Sequence, residues 1–216
     1  MTAFPVRSQL KILFPSILLI ILCYLFIDKP VAFWVNAHHL QQYHWLKLLT
    51  HLDDVLGGIV FLIYLVLWVG LLLNINSRHD KLLLVIANCY VITAFLVTIL
   101  KFVFARYWPA TWANNNPSLL QNGTYAFNWF HWGIAYSAFP SGHAARVMAA
   151  MMAFYLVYRR WRWLAGLVVI LTAVSLVSVN YHFVSDVIAG ILLGYIVATT
   201  TYHLIHPSPF SRERYL

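Results

Sequence analysis

Three short segments of this chain place ionisable side chains at spacings that suit handling an anionic group. The first holds Lys101 and Arg106, just ahead of Trp108 and Pro109. The second is Pro140, Ser141, Gly142 and His143, and the third holds His182 and Asp186. Pro140 and Ser141 read as a helix start with Ser141 as N-cap, so the N–H groups of Gly142 and His143 would point out of the helix toward an anion. Gly142 leaves room for a phosphoryl oxygen to approach the backbone, and Lys101 with Arg106 would supply charge around the other oxygens. His182 and Asp186 are four apart, so on one helical turn they share a face. The carboxylate could then hold one imidazole nitrogen while the other, basic and outward, attacks phosphorus. His143 could protonate the leaving oxygen and later take a proton from an incoming water.

The elements that must position these residues follow from composition. Of 216 residues, 62% are hydrophobic and 9% charged, and the mean hydropathy of +0.75 lies outside the range of water-soluble domains. The few charges separate apolar runs close to the length that crosses a bilayer as a helix. Six runs are read, at about Leu10–Ile27, Val55–Leu73, Leu82–Phe104, Gly142–Tyr158, Leu164–Val179 and Val187–Leu204. They are apolar all round and do not alternate at period two, so helices are expected and a membrane β-barrel is not. The fold class is an all-α membrane protein: one six-transmembrane-helix bundle over residues 1–216, with its chemistry in 101–190. The first run lacks a small-residue cleavage site and is read as a retained span. Cys23 and Cys89 fall inside spans as packing residues, and no internal repeat is present.

Two segments are too polar and aromatic to span. Pro30 to Asp54 is expected to lie along the outer interface between helices one and two, where Trp and Tyr rings favour the headgroup depth. Its histidines, His38, His39, His44 and His51, match no standard metal spacing, and no metal or other cofactor is expected. The long outer loop between helices three and four, Tyr107 to Phe139, carries Trp108, Trp112, Trp129, Trp132 and a turn at Asn114 to Pro117, and is expected to cover the site.

Basic residues set the orientation. Arg7, Lys11, Arg78, Lys81, Arg159, Arg160, Arg162, Arg212 and Arg214, nine of the fourteen, fall on one side of a six-span arrangement. Cytoplasmic loops are enriched in such residues, so both termini are expected in the cytoplasm and all three reactive segments on the opposite face. This pattern and anionic headgroups account for the net charge of +8, and no nucleic-acid partner is needed.

From about Lys101 to Gly190 the sequence resembles the type 2 phosphatidic acid phosphatases, a family whose motifs run K-x6-R-P, P-S-G-H and S-R-x5-H-x3-D. Lys101, Ser141, Gly142, His143, Ser175, His182 and Asp186 match by position. The resemblance implies a metal-independent lipid phosphatase with a phosphohistidine intermediate, His182 as nucleophile, Asp186 as its orienting partner and His143 as general acid. It also implies a bacterial inner membrane with a periplasmic site, and a lipid phosphate or diphosphate as substrate. Two family arginines are absent, replaced by Trp108 and Leu176. Arg106 or Arg146 is expected to return a guanidinium to the phosphate. Other readings are a lipid phosphotransferase and a non-catalytic lipid-binding member. A haem-binding or transport bundle is disfavoured, because His143 and His182 sit at span ends beside cations.

Overall fold

The computed structural model describes residues 6–75, 77, 79–112 and 115–205. Arg78, Asn114, Arg212 and Arg214 lie outside the described residues. The helices are α1 (Val6–Leu22), α2 (Asp28–Ala37), α3 (His44–Thr50), α4 (Leu52–Leu72), α5 (Asp80–Phe104), α6 (Leu119–Asn122), α7 (Gly142–Val157), α8 (Arg162–Ser178) and α9 (Val184–Ile205). Among the described residues the only β pairing is isolated bridges, at Arg106 with Phe127 and Ser137 and at Trp108 with Ser118. Among the described residues, five helical runs are long and apolar enough to cross a membrane: Gln9–Ala37, His44–Leu72, Asp80–Phe104, Arg159–Ser178 and Val184–Ile205. The chain is a multi-pass membrane protein. α7, at 16 residues, is apolar but shorter than these five.

Most of the segment from Pro30 to Asp54, expected along the interface, is helical. Pro30 to Ala37 continues the first helical run, and His44 to Asp54 opens the second, so only the stretch around His38 to Tyr43 connects them. Pro30 ends the regular hydrogen-bond ladder because it has no N–H to donate to the carbonyl four residues back. The chain absorbs the break in a π turn, Cys23–Ile27, where the Asp28 N–H reaches the Cys23 carbonyl, and the helix then resumes as α2. Asp28 is thereby carried inward, and it is buried.

α7 and α9 form the centre of the bundle, and the residues that let them approach are small. Gly190 and Gly194 are one turn apart on α9, facing Ala144, Ala145 and Ala149 on α7. A Cβ added to Gly190 would collide with the Ser141 carbonyl, and one on Gly194 with the Ala145 carbonyl. This close backbone packing is how membrane helices associate when no hydrophobic gain separates protein from lipid. α5 closes the core through Val85, Ile86 and Cys89 against Ala149, Ala150 and Ala153. α1 joins through Gln9, whose amide donates to Thr199 and Thr200 of α9, each at 3.1 Å. The outward faces of α1 and α4 expose leucines, isoleucines and Trp68, as a lipid-facing surface requires.

Candidate active site

The three reactive segments meet at one end of the α5, α7 and α9 core. α5 stops because Ala105 takes a left-handed conformation at φ 43°, with its N–H on the Lys101 carbonyl. A non-glycine residue there is strained, and the Ala105 carbonyl is secured by the Asn128 N–H at 2.8 Å. Lys101 remains in the last turn of α5, while the chain beyond it folds under the outer loop. α7 starts as expected, with the Ser141 side chain accepting from the Ala144 N–H at 3.4 Å. The N–H groups of Gly142 and His143 fall in its first turn, where a helix offers them no acceptor. The Ser141 N–H donates to the Asp186 carbonyl at 3.0 Å, tying the start of α7 to the start of α9.

Before α9, the Leu176 carbonyl accepts from the N–H groups of both Tyr181 and His182, at 3.0 and 3.2 Å, winding the turn that presents the second histidine. The His143 and His182 rings face each other with centroids 6.3 Å apart. His182 is 2% exposed, and Trp108 covers it with a ring centroid 5.1 Å away. The Trp108 ring also sits 5.7 Å from the Lys101 ammonium. Burial, and then the nearby Lys101 charge, hold the His182 imidazole well below its ordinary pKa of 6.5, against the opposing pull of the Ala138 backbone.

The expected hydrogen bond between His182 and Asp186 is not made. His182 Nδ1 lies 3.7 Å from Asp186 Oδ2, a purely electrostatic pairing at that separation. Oδ2 instead accepts the Phe183 N–H at 3.0 Å, and Oδ1 pairs with Arg106. Arg106, expected beside the phosphate, has a fully buried side chain held between Asp186 and Asp28. Its Nη1 also donates to Ser185 Oγ at 2.7 Å, and its guanidinium lies 4.2 Å from the Phe183 ring centroid and 4.9 Å from that of Tyr125. Burial opposes its charge, but the two carboxylates outweigh burial and its pKa rises above the usual arginine value. Tyr125, which donates to Asp28, is pushed up mainly by burial.

Arg146 lies beside the start of α7. Its side chain is 23% exposed, its Nε and Nη2 engage Asp53, and its Nη1 is 3.0 Å from where a Cβ on Gly142 would sit. Ser175 is buried and donates to the Thr172 carbonyl at 2.9 Å. Asp28 and Asp53 are site-adjacent acids that lie outside the three motifs. The signal for them was a carboxylate at the edge of an apolar helix, which is costly there unless paired. Asp53, Asp54 and His143 bring one potential metal-ligand atom each within 4.8 Å of one another, yet Asp53 is paired with Arg146 and Asp54 with His51. An apolar groove lined by Ala173, Val177, Val184, Val187 and Ile191 runs between α8 and α9, starting two residues beyond His182.

Known proteins resemble this chain in sequence and in fold. The model of the PAP2 superfamily matches residues 82–209. An undecaprenyl-diphosphatase of Sulfolobus acidocaldarius is 30% identical over 173 residues, spanning 77% of this chain and 76% of that protein. A lipid A 1-phosphatase of Rhizobium etli is 38% identical over 72 residues, 33% of this chain and 31% of its own length. The crystal structure of a transmembrane PAP2 type phosphatidylglycerolphosphate phosphatase from Bacillus subtilis superposes with a TM-score of 0.54 at 17% identity, covering 91% of this chain and 97% of that one.

Proposed function

The chain belongs to the PAP2 superfamily, and from that premise we propose that it hydrolyses a phosphomonoester or diphosphate on a membrane lipid through a phosphohistidine at His182. The observation that supports this most directly is the facing pair His143 and His182, 6.3 Å between ring centroids, beside a helix start and two cations. The phosphate sits on the N–H groups of Gly142 and His143, with Ser141, Lys101 and Arg146 around it. Arg146 takes the part of the absent motif arginines.

His182 Nδ1 faces Asp186, which leaves Nε2 to attack phosphorus. The P–N bond forms as the bond to the lipid oxygen breaks, and His143 gives that oxygen its proton. A water then attacks phosphorus, His143 takes the water proton, and inorganic phosphate leaves. Asp186 stabilises the positive charge that the ring carries while phosphorylated. No metal is needed for these steps. Relatives named for an isoprenoid diphosphate, a lipid A phosphate and phosphatidylglycerolphosphate all point to phosphate on a lipid anchor. The groove beside Val184 and Val187 would keep the hydrocarbon chain in the bilayer.

In this reading α7 is the fourth of six spans, both termini are cytoplasmic, and the site opens on the periplasmic face of a bacterial inner membrane. The test is phosphate release by purified protein in detergent from phosphatidic acid, phosphatidylglycerolphosphate, undecaprenyl diphosphate and lipid A, with a chelator present. Release that continues with chelator and falls by about three orders of magnitude or more in His182→Ala supports the proposal. Release unchanged in His182→Ala overturns it.

A further inference from the structure

Two buried acids near the site take no part in the reaction just described. Asp28, at the start of α2, is 1% exposed, and Asp53, at the start of α4, is also 1% exposed. Neither lies within residues 82–209, the region that the family model matches. A carboxylate out of water is retained only where donors and cations satisfy it, so the partners of each show what it is for.

Asp28 accepts from Arg106 Nη2 at 2.8 Å, from the Ser185 N–H at 2.9 Å, from the Ser185 hydroxyl, and from Tyr125 OH at 3.2 Å. The other arm of the same guanidinium pairs with Asp186. Asp28 is therefore one guanidinium away from the carboxylate under His182, and the Ser185 backbone locks it to the first turn of α9. Asp53 accepts from Arg146 Nε at 3.0 Å and from Arg146 Nη2, and Tyr90 OH fixes it from α5 at 3.1 Å. These bonds hold the Arg146 side chain in one pose, with its remaining nitrogen against Gly142 at the mouth of α7.

The missing motif arginines explain why Arg146 needs such a support. Trp108 and Leu176 occupy those positions, the first as a ring over His182 and the second as a fully buried core residue. Arginines brought in from other positions need their own anchors. We propose that Asp28 and Asp53 are positioning residues of the active site, Asp28 fixing Asp186 through Arg106 and Asp53 holding Arg146 toward the phosphate. The inference rests on the phosphohistidine reading and deepens it: the first two spans complete a site whose reactive residues all lie in the later ones.

The experiment uses the full-length protein in detergent, with dioctanoyl phosphatidic acid and farnesyl diphosphate as substrates and orthovanadate as a phosphate mimic. Asp53→Asn is expected to raise KM and the vanadate inhibition constant by about tenfold with a small change in kcat, and to add nothing further in an Arg146→Gln background. Asp28→Asn is expected to lower kcat by about tenfold at near-native KM. Should Asp28→Asn fail to fold, Tyr125→Phe removes the hydroxyl shared between the Tyr24 carbonyl at 2.6 Å and the same carboxylate at 3.2 Å, and is expected to lower kcat by about threefold with KM unchanged. Melting temperatures separate these effects from loss of folded protein. Variants that fold and keep native kcat, KM and vanadate inhibition overturn the inference, as does an Asp53→Asn effect that simply adds to that of Arg146→Gln. The phosphohistidine reading is checked separately in the same preparations: active wild type with inactive His182→Ala upholds it whatever the aspartate variants do, and inactive wild type on both substrates removes both.

Discussion

At the scale of the residue, His182 has the surroundings of a base kept neutral. Burial and the Lys101 charge hold its pKa well below 6.5, so the neutral, nucleophilic form persists as the pH falls, and protonation removes it only below the lowered value. An unperturbed imidazole would be about nine-tenths protonated one unit below its pKa. Turnover limited by attack on phosphorus is therefore expected to stay within about twofold from pH 7.5 to 5.5 in a pH series of kcat/KM. A fall of about tenfold across that window would show that the ring titrates normally. The meeting of the motif residues was legible at this scale because their types and spacing suit one shared anionic group. Arg106 was not. Its distance in sequence from Trp108 put it near the phosphate, whereas the left-handed turn at Ala105 sends it to two buried carboxylates, one of them 78 positions away. No local pattern encodes that choice.

Among the elements, the site depends on how closely α7 and α9 approach. Ser141 and Asp186 are joined by one backbone hydrogen bond, and Gly190 sits one turn below Asp186 against the Ser141 carbonyl. A side chain at Gly190 must push the two helix starts apart, separating His143 from His182. Gly190→Leu is expected to abolish measurable turnover and lower the melting temperature in detergent, with an overpacking cost of about 1–3 kcal/mol. Gly166→Ala in α8, where nothing lies within 4 Å of the added carbon, serves as the control, expected to be neutral or slightly stabilising. Equal effects from the two would contradict the packing account. The apolar periods revealed the helices, since bilayer thickness dictates their length. They did not reveal that the first two runs extend through Pro30 to Ala37 and through His44 to Asp54. Clustered histidines and tryptophans suggest an interface, and the π turn that lets the helix pass Pro30 leaves no mark in composition.

For the whole molecule, the distribution of basic residues and the convergence of the motifs at one end of the bundle bear on orientation. With native cysteines replaced, His131→Cys in the outer loop is expected to react with a membrane-impermeant maleimide on intact cells, and Arg160→Cys between α7 and α8 only after lysis. Labelling in the reverse order would place the site on the cytoplasmic face. The segregation of chemistry to one end was readable in outline, because an even number of crossings between motifs returns them to one side. The contribution of the first two spans was not, since a lone aspartate beside an apolar run says nothing about its partner until the helices are assembled.

The indole of Trp108, lying over an imidazole with almost no exposed surface, imposes an order on events in the proposed reaction. With the same cover over the phosphorylated nitrogen, the dephosphorylated lipid must back out before a water can take its place. Departure of the first product then becomes the gate for the second half of the cycle, and a chain that clings to the bilayer groove would prolong the life of the phosphorylated enzyme.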